Sequence, residues 1–266
     1  MKPTHLFVNI LLLAQVSNQD LSADAAKDWK ALQASLAVKM KNIEGPQQLV
    51  PLFQSLEGFV KQHPGTDEAS MALCNLSSLL TQIEKVEAAI SVLQGASSHT
   101  RNKEILASIQ AQVTKLSVRP GGTPPDFKAK TLAGKETSLA AHKGKNLLFI
   151  IWATWCGPCR GETPFLKEVY QKFPREKLDI LGVSLDEKKS ALTGYLKRQK
   201  MPWPQIYNKD QKPGKGIDVL YNTTNIPLII LIGPDGKIIK PGLRGQNLKK
   251  EIAAALESQS KSAVNR

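Results

Sequence analysis

Two cysteines separated by Gly-Pro, in Trp155-Cys156-Gly157-Pro158-Cys159, are the residues of this chain whose type and spacing point most directly to chemistry. They follow the apolar run Leu147 to Trp152 and precede a helix-like segment, so they read as a dithiol on a strand-to-helix turn. A helix N-terminus presents unsatisfied N–H groups and about half a positive charge, which stabilises a thiolate there and lowers its pKa. Cys156 takes that place and reads as the attacking thiol. Cys159, roughly one helical turn further on, returns to the same face and reads as the thiol that resolves a mixed disulfide on Cys156. Pro158 falls in the first helical turn, where its missing N–H costs nothing and its φ suits the helix. Trp155 is expected to shield the dithiol and meet partners, with plain core packing as the alternative.

Half of a zinc site is the competing reading of such a pair, but tetrahedral zinc needs further ligands. The only other cysteine is Cys74, in a different part of the chain, and His5, His63, His99 and His142 show no paired ligand spacing. No metal and no cofactor is expected.

Further segments accompany the dithiol in a set order. Upstream lie Pro124-Pro125-Asp126-Phe127, Leu132-Ala133-Gly134-Lys135, Ser138-Leu139 and Lys143-Gly144-Lys145; directly downstream lies Arg160-Gly161-Glu162-Thr163-Pro164. Leu181 to Asp186 follows as a strand with an acidic end, then Asn225-Ile226-Pro227, the strand Leu228 to Ile232 and the turn Gly233-Pro234-Asp235-Gly236-Lys237. With these motifs the stretch from about Gly121 to Ala255 resembles the thioredoxin fold, and within it the exported or membrane-anchored thiol-disulfide reductases of the TlpA/ResA type.

The resemblance implies an α/β thioredoxin-like fold, a central mixed sheet flanked by helices. It implies a cis Ile226-Pro227 bond lying against the dithiol, with the Ile226 backbone left to pair with an extended substrate segment. Trp155, Gly157, Pro158, Ile226 and Pro227 are then the substrate-binding residues. Glu162, three residues after Cys159, shares that thiol's helix face and by resemblance accepts its proton; the alternative is a solvated helix residue. Ile150 departs from the pattern, because thioredoxins proper carry a buried aspartate six residues before the first cysteine. Pro164 inside the helix reads as a kink.

By the same resemblance the activity is reduction of protein disulfides in the periplasm or another envelope compartment. The substrate class it implies is oxidised cytochrome c apoproteins, as in cytochrome c maturation, and a membrane thiol-disulfide electron donor must recharge the site. Two other readings stand beside it. A thiol peroxidase shares the Pro125-Asp126-Phe127 lead-in, but that group places a threonine three residues before its peroxidatic cysteine, where this chain has Ala153. In the other, the chain is a partner-docking adaptor that carries a redox domain.

At 266 residues the chain has room for two domains. Between about Ser22 and Ser117 the signal is helical: stripes run through Trp29, Leu32, Leu36 and Met40, through Leu49, Leu52, Phe53, Leu56 and Val60, through Leu73, Leu76, Leu80 and Ile83, and through Ile105, Ile109, Val113 and Leu116. Breaks are expected at Gly45-Pro46, His63 to Thr66, Gly95 and Ser97-Ser98. The result is a small all-α domain preceding the α/β one, with one hairpin faintly like a tetratricopeptide repeat and able to dock a protein partner. Cys74 reads as a buried apolar residue of that domain.

Residues 1 to 118 hold 10 Lys+Arg and 10 Asp+Glu, so the whole excess of +13 belongs to the second half. Its basic residues are spread through Lys188-Lys189, Lys197 to Lys200 and Lys209 to Lys215 without interleaved aromatics, which argues for a solvated cationic surface and against nucleic acid. Lys2 followed by the apolar Leu6 to Val16 reads as a signal peptide, too short to span a bilayer, with Ala23-Asp24-Ala25 as its cleavage site; a buried first helix is the alternative. The expected organisation is an export segment over 1–25, a helical domain over 26–118, the thioredoxin-like domain over 119–258 and a polar disordered tail over 259–266.

Overall fold

A computed structural model describes residues 23–41, 43, 45–211 and 216–264. The expected signal peptide up to residue 22, residues 212–215 of the basic run and the last two residues of the expected tail lie outside the described residues. The chain divides into two compact units, residues 1–116 and 117–266, close to the boundary expected after residue 118.

The first unit is helical: α1 (Ala23–Met40), α2 (Val50–Gln62), α3 (Asp67–Gln82), α4 (Val86–Ala96) and α5 (Lys103–Ser117). Its core joins Trp29, Leu36 and Met40 of α1 to Leu52, Leu56 and Phe59 of α2, and to Cys74, Leu76 and Leu79 of α3, with Leu93, Ile105 and Ile109 from the last two helices. The 3.6-residue spacing that marked these helices thus places their apolar stripes inward. Thr66 caps α3 by accepting from the Ala69 N–H at 3.2 Å, and Gly65 supplies the positive φ, +76°, of the preceding turn.

Ala23 to Ala25, where the cleavage site is expected, form the first turn of α1, and Ala25 is buried. One expectation is corrected here. Gly95, expected as a break, lies inside α4; the Ser97 and Ser98 hydroxyls donate to the carbonyls of Gln94 and Gly95, which carries the turn past the glycine.

The second unit opens with a short antiparallel pair, β1 (Ala129–Lys130) and β2 (Glu136–Thr137). It continues through β3 (Asn146–Trp152), α6 (Gly157–Lys172), β4 (Leu178–Ser184), α7 (Lys189–Gln199), β5 (Gln205–Tyr207), α8 (Ile217–Leu220), β6 (Leu228–Ile232), β7 (Ile238–Pro241) and α9 (Gln246–Val264). The main sheet has the order β5-β4-β3-β6-β7, with β3, β4 and β5 parallel, β6 antiparallel to β3, and β7 antiparallel to β6. This is the mixed sheet flanked by helices of a thioredoxin-like fold.

Every residue of β3 is buried, as a continuous apolar run requires of a central strand covered on both faces. Leu148, Ile150 and Trp152 face the cluster that contains both cysteines, whereas Leu147, Phe149 and Ile151 face the opposite one. The Pro124-to-Phe127 lead-in closes that opposite face: Phe127 stacks on Phe149, Tyr221 packs on the same ring, and the Tyr221 hydroxyl donates to the Pro125 carbonyl at 2.8 Å. Burial pushes the pKa of that phenol far above its ordinary value.

A second correction concerns the end of the chain. α9 runs on through residues 259–264, expected as a disordered tail, because Ser258 to Val264 contains neither glycine nor proline to stop it. Among the described residues no helix is long and apolar enough to cross a membrane.

Candidate active site

Strand β3 ends at Trp152, and a tight turn over Ala153 to Cys156, closed by the Cys156 N–H on the Ala153 carbonyl at 3.3 Å, delivers the chain to α6. Cys156 is the N-cap of that helix, with extended φ and ψ of −78° and 110°. Its Sγ accepts from the Cys159 N–H at 3.1 Å, so the sulfur occupies the place where a capping oxygen ordinarily sits. A thiolate there faces the positive end of the helix and one of its unsatisfied donors, a setting that lowers a thiol's pKa.

Gly157 and Pro158 form the first helical turn, and Cys159 closes a disulfide with Cys156 across a Cα–Cα distance of 5.2 Å. Both cysteines are nearly inaccessible, at 6% and 3%, while Trp155 beside them is 63% exposed. Cys156 is thus buried, with a large exposed aromatic next to it in the chain.

The Ile226-Pro227 bond is cis, as the resemblance implied, and the Ile226 carbonyl oxygen lies 3.6 Å from Cys156 Sγ. Chain segments 70 residues apart in sequence therefore meet at the sulfur. Arg244 braces this loop, donating to the carbonyl oxygens of Pro227 and, at 2.6 Å, of Leu243.

Beneath the dithiol, Cys159, Glu162, Thr163, Ile150 and Pro227 line one narrow cavity with room for about one water. Glu162 is half-buried, and its Oε2 accepts from the Gly245 N–H at 2.7 Å, tying α6 to the loop that precedes α9. The helical spacing of three had placed it on the face of Cys159, and the two share this cavity. Ile150 lines the cavity with an apolar side chain, and Glu162 is the carboxylate that lines it. Thr163, a further residue on, pairs with the Tyr195 hydroxyl at 3.3 Å.

One residue beside the dithiol had been read only as the acidic end of a strand. Asp186, 1% exposed, accepts hydrogen bonds from the N–H and hydroxyl of Thr154, inside the turn that precedes Cys156. Among the described residues no group of three or more His, Cys, Asp and Glu side chains is arranged to hold a metal ion.

Residues 120–240 match the model of the AhpC/TSA family. Similar curated proteins include the thiol-disulfide oxidoreductase ResA of Bacillus thuringiensis subsp. konkukian, 30% identical over 137 residues that make up 52% of this chain and 76% of the relative. The ResA of Geobacillus kaustophilus is 30% identical over 144 residues, 54% of this chain and 80% of the relative. Among solved structures, the thioredoxin domain of a thiol-disulfide oxidoreductase from Bacteroides vulgatus is 31% identical, covering 53% of this chain and 98% of that one with a TM-score of 0.46. A thiol:disulfide interchange protein from Bacteroides sp. is 34% identical, with 51% and 89% covered and a TM-score of 0.46.

Proposed function

From a chain that belongs to the ResA family of thiol-disulfide oxidoreductases, we propose a reductase of protein disulfides that works in the periplasm or an equivalent envelope compartment. The observation that carries this reading is Cys156 as the N-cap of α6, beside an exposed tryptophan and against the Ile226-Pro227 loop.

In the proposed cycle the reduced Cys156 thiolate attacks one sulfur of a substrate disulfide. The substrate S–S bond breaks, a mixed disulfide forms, and the departing substrate thiolate takes a proton from solvent. Glu162 then accepts the Cys159 proton, and the Cys159 sulfur attacks Cys156 Sγ. The mixed bond breaks, the second substrate thiolate leaves and is protonated, and the Cys156–Cys159 disulfide remains with two electrons delivered. Trp155, Gly157, Pro158, Ile226 and Pro227 hold the substrate segment, its backbone running along Ile226.

In an oxidising compartment the closed disulfide needs a membrane thiol-disulfide donor to reopen it, and oxidised cytochrome c apoproteins fit as substrates. The helical unit offers a separate body for docking a partner. Cys159→Ser protein should accumulate covalent adducts on Cys156 in the cell envelope; recovery of no adduct would overturn the mechanism.

A further inference from the structure

Asp186 is a buried carboxylate whose neighbours explain its position better than packing does. It lies two residues beyond β4, and its oxygens receive three donors. The Thr154 N–H reaches Oδ1 and Oδ2 at 3.1 and 3.2 Å, the Thr154 hydroxyl donates to Oδ1 at 2.5 Å, and the Ser184 hydroxyl donates to Oδ2 at 2.7 Å. The Asp186 N–H in turn donates to Ser184 Oγ at 3.1 Å. A buried carboxylate is costly unless its lone pairs are met, and here donors converge on both oxygens. A neutral amide of the same shape has one oxygen and would turn its NH2 toward donors.

What the carboxylate holds is the turn, not the sheet. The β3–β4 pairing is already continued past its end by the Leu185 N–H on the Trp152 carbonyl at 2.8 Å. Thr154 and Trp155 are the two central residues of the turn from Ala153 to Cys156, and Asp186 grips the first of them by backbone and side chain together. Trp155 is solvent-exposed, so little packing holds this turn on its outer side.

We propose that Asp186 is a positioning residue for the redox site, holding the Thr154-Trp155 turn so that Cys156 caps α6 and Trp155 stays presented beside it. The role rests on Cys156 being the attacking thiol, and the test separates the two ideas. In Cys159→Ser protein, where Cys156 is the remaining thiol of the pair, the rate of iodoacetamide alkylation at Cys156 is followed against pH. An unreactive Cys156 in that parent would sink the attacking-thiol reading itself.

Thr154→Val, which keeps the side chain's shape and removes its hydroxyl, should slow alkylation about tenfold by letting the turn drift. It should also move the ionisation midpoint of Cys156 upward, and Thr154→Ser should restore both. In an Asp186→Asn background the same Thr154→Val change should cost less than about twofold, because the bond it removes is already impaired. Should Asp186→Asn fail to fold, the Val and Ser pair at Thr154 decides alone. A Thr154→Val protein that reacts and titrates like its parent, or losses that add in the double variant, would overturn the proposal.

Discussion

At the scale of single residues the sulfur chemistry depends on a few contacts that can be removed one at a time. Glu162→Gln keeps an oxygen for the Gly245 N–H but loses the carboxylate proposed as the base. It should leave attack by Cys156 intact and slow release of reduced substrate from the mixed disulfide about tenfold or more; stopped-flow measurement of the two phases checks it, and unchanged release would return Glu162 to the role of a solvated helix residue. Gly182 is a second such point. A methyl group there would overlap the Gln205 carboxamide, which is buried and accepts from Trp152 Nε1 at 3.0 Å, so it cannot swing away. Gly182→Ala should cost about 1–3 kcal/mol in denaturant unfolding. The shared face of Cys159 and Glu162, and the place of Cys156 at the head of their helix, were legible from spacing, because one helix and its cap carry all three. The grip of Asp186 on Thr154 was not, since it joins residues 32 apart that meet only when β3 and β4 pair side by side.

At the scale of the secondary-structure element, α3 carries two groups whose burial can be read out by titration. Glu68 is buried, and desolvation raises its pKa against the opposing pull of its own backbone N–H, with Asp67 adding to the rise. A carboxyl whose pKa is higher folded than unfolded binds more protons in the folded state, so stability falls as pH rises through the carboxylate range. Glu68→Gln should therefore raise the melting temperature of the helical unit at neutral pH, and the gain should vanish below about pH 4, where the unfolded carboxyl is protonated too. A gain of equal size at both pH values would contradict the burial argument. Cys74 sits on the same helix, buried, and desolvation pushes its thiol up to about 11. After reduction of the native protein, an alkylating reagent near neutral pH should therefore spare Cys74 until the chain is denatured, as mass spectrometry would show. Element types followed closely from pattern: β3 from its unbroken apolar run, the helices from their stripes. Ends were less legible, as Gly95 and residues 259–264 show, because a lone glycine or a polar stretch does not stop a helix when nothing clashes with its next turn.

At the scale of the whole molecule the chain is two compact units that differ in charge, a neutral helical one and a redox one that carries the net +13. Two separate cores predict two thermal transitions in calorimetry. A reductant such as dithiothreitol should move only the transition of residues 117–266, since the Cys156–Cys159 bond lies wholly within that unit; one transition shifting as a whole would show that the units unfold together. The division itself was legible from the change in periodicity and charge near residue 118. The redox half was legible further, down to the cis bond at Pro227, through the resemblance of its ordered motifs to the thioredoxin fold.

The direction of electron flow is the central claim, and one number decides it. Equilibration of the Cys156–Cys159 couple with glutathione, read by mass spectrometry after acid quenching and alkylation, gives its reduction potential directly. A reductase requires a value near that of thioredoxin, about −270 mV, whereas a value near about −120 mV would mark a strong oxidant and contradict reduction as the physiological direction.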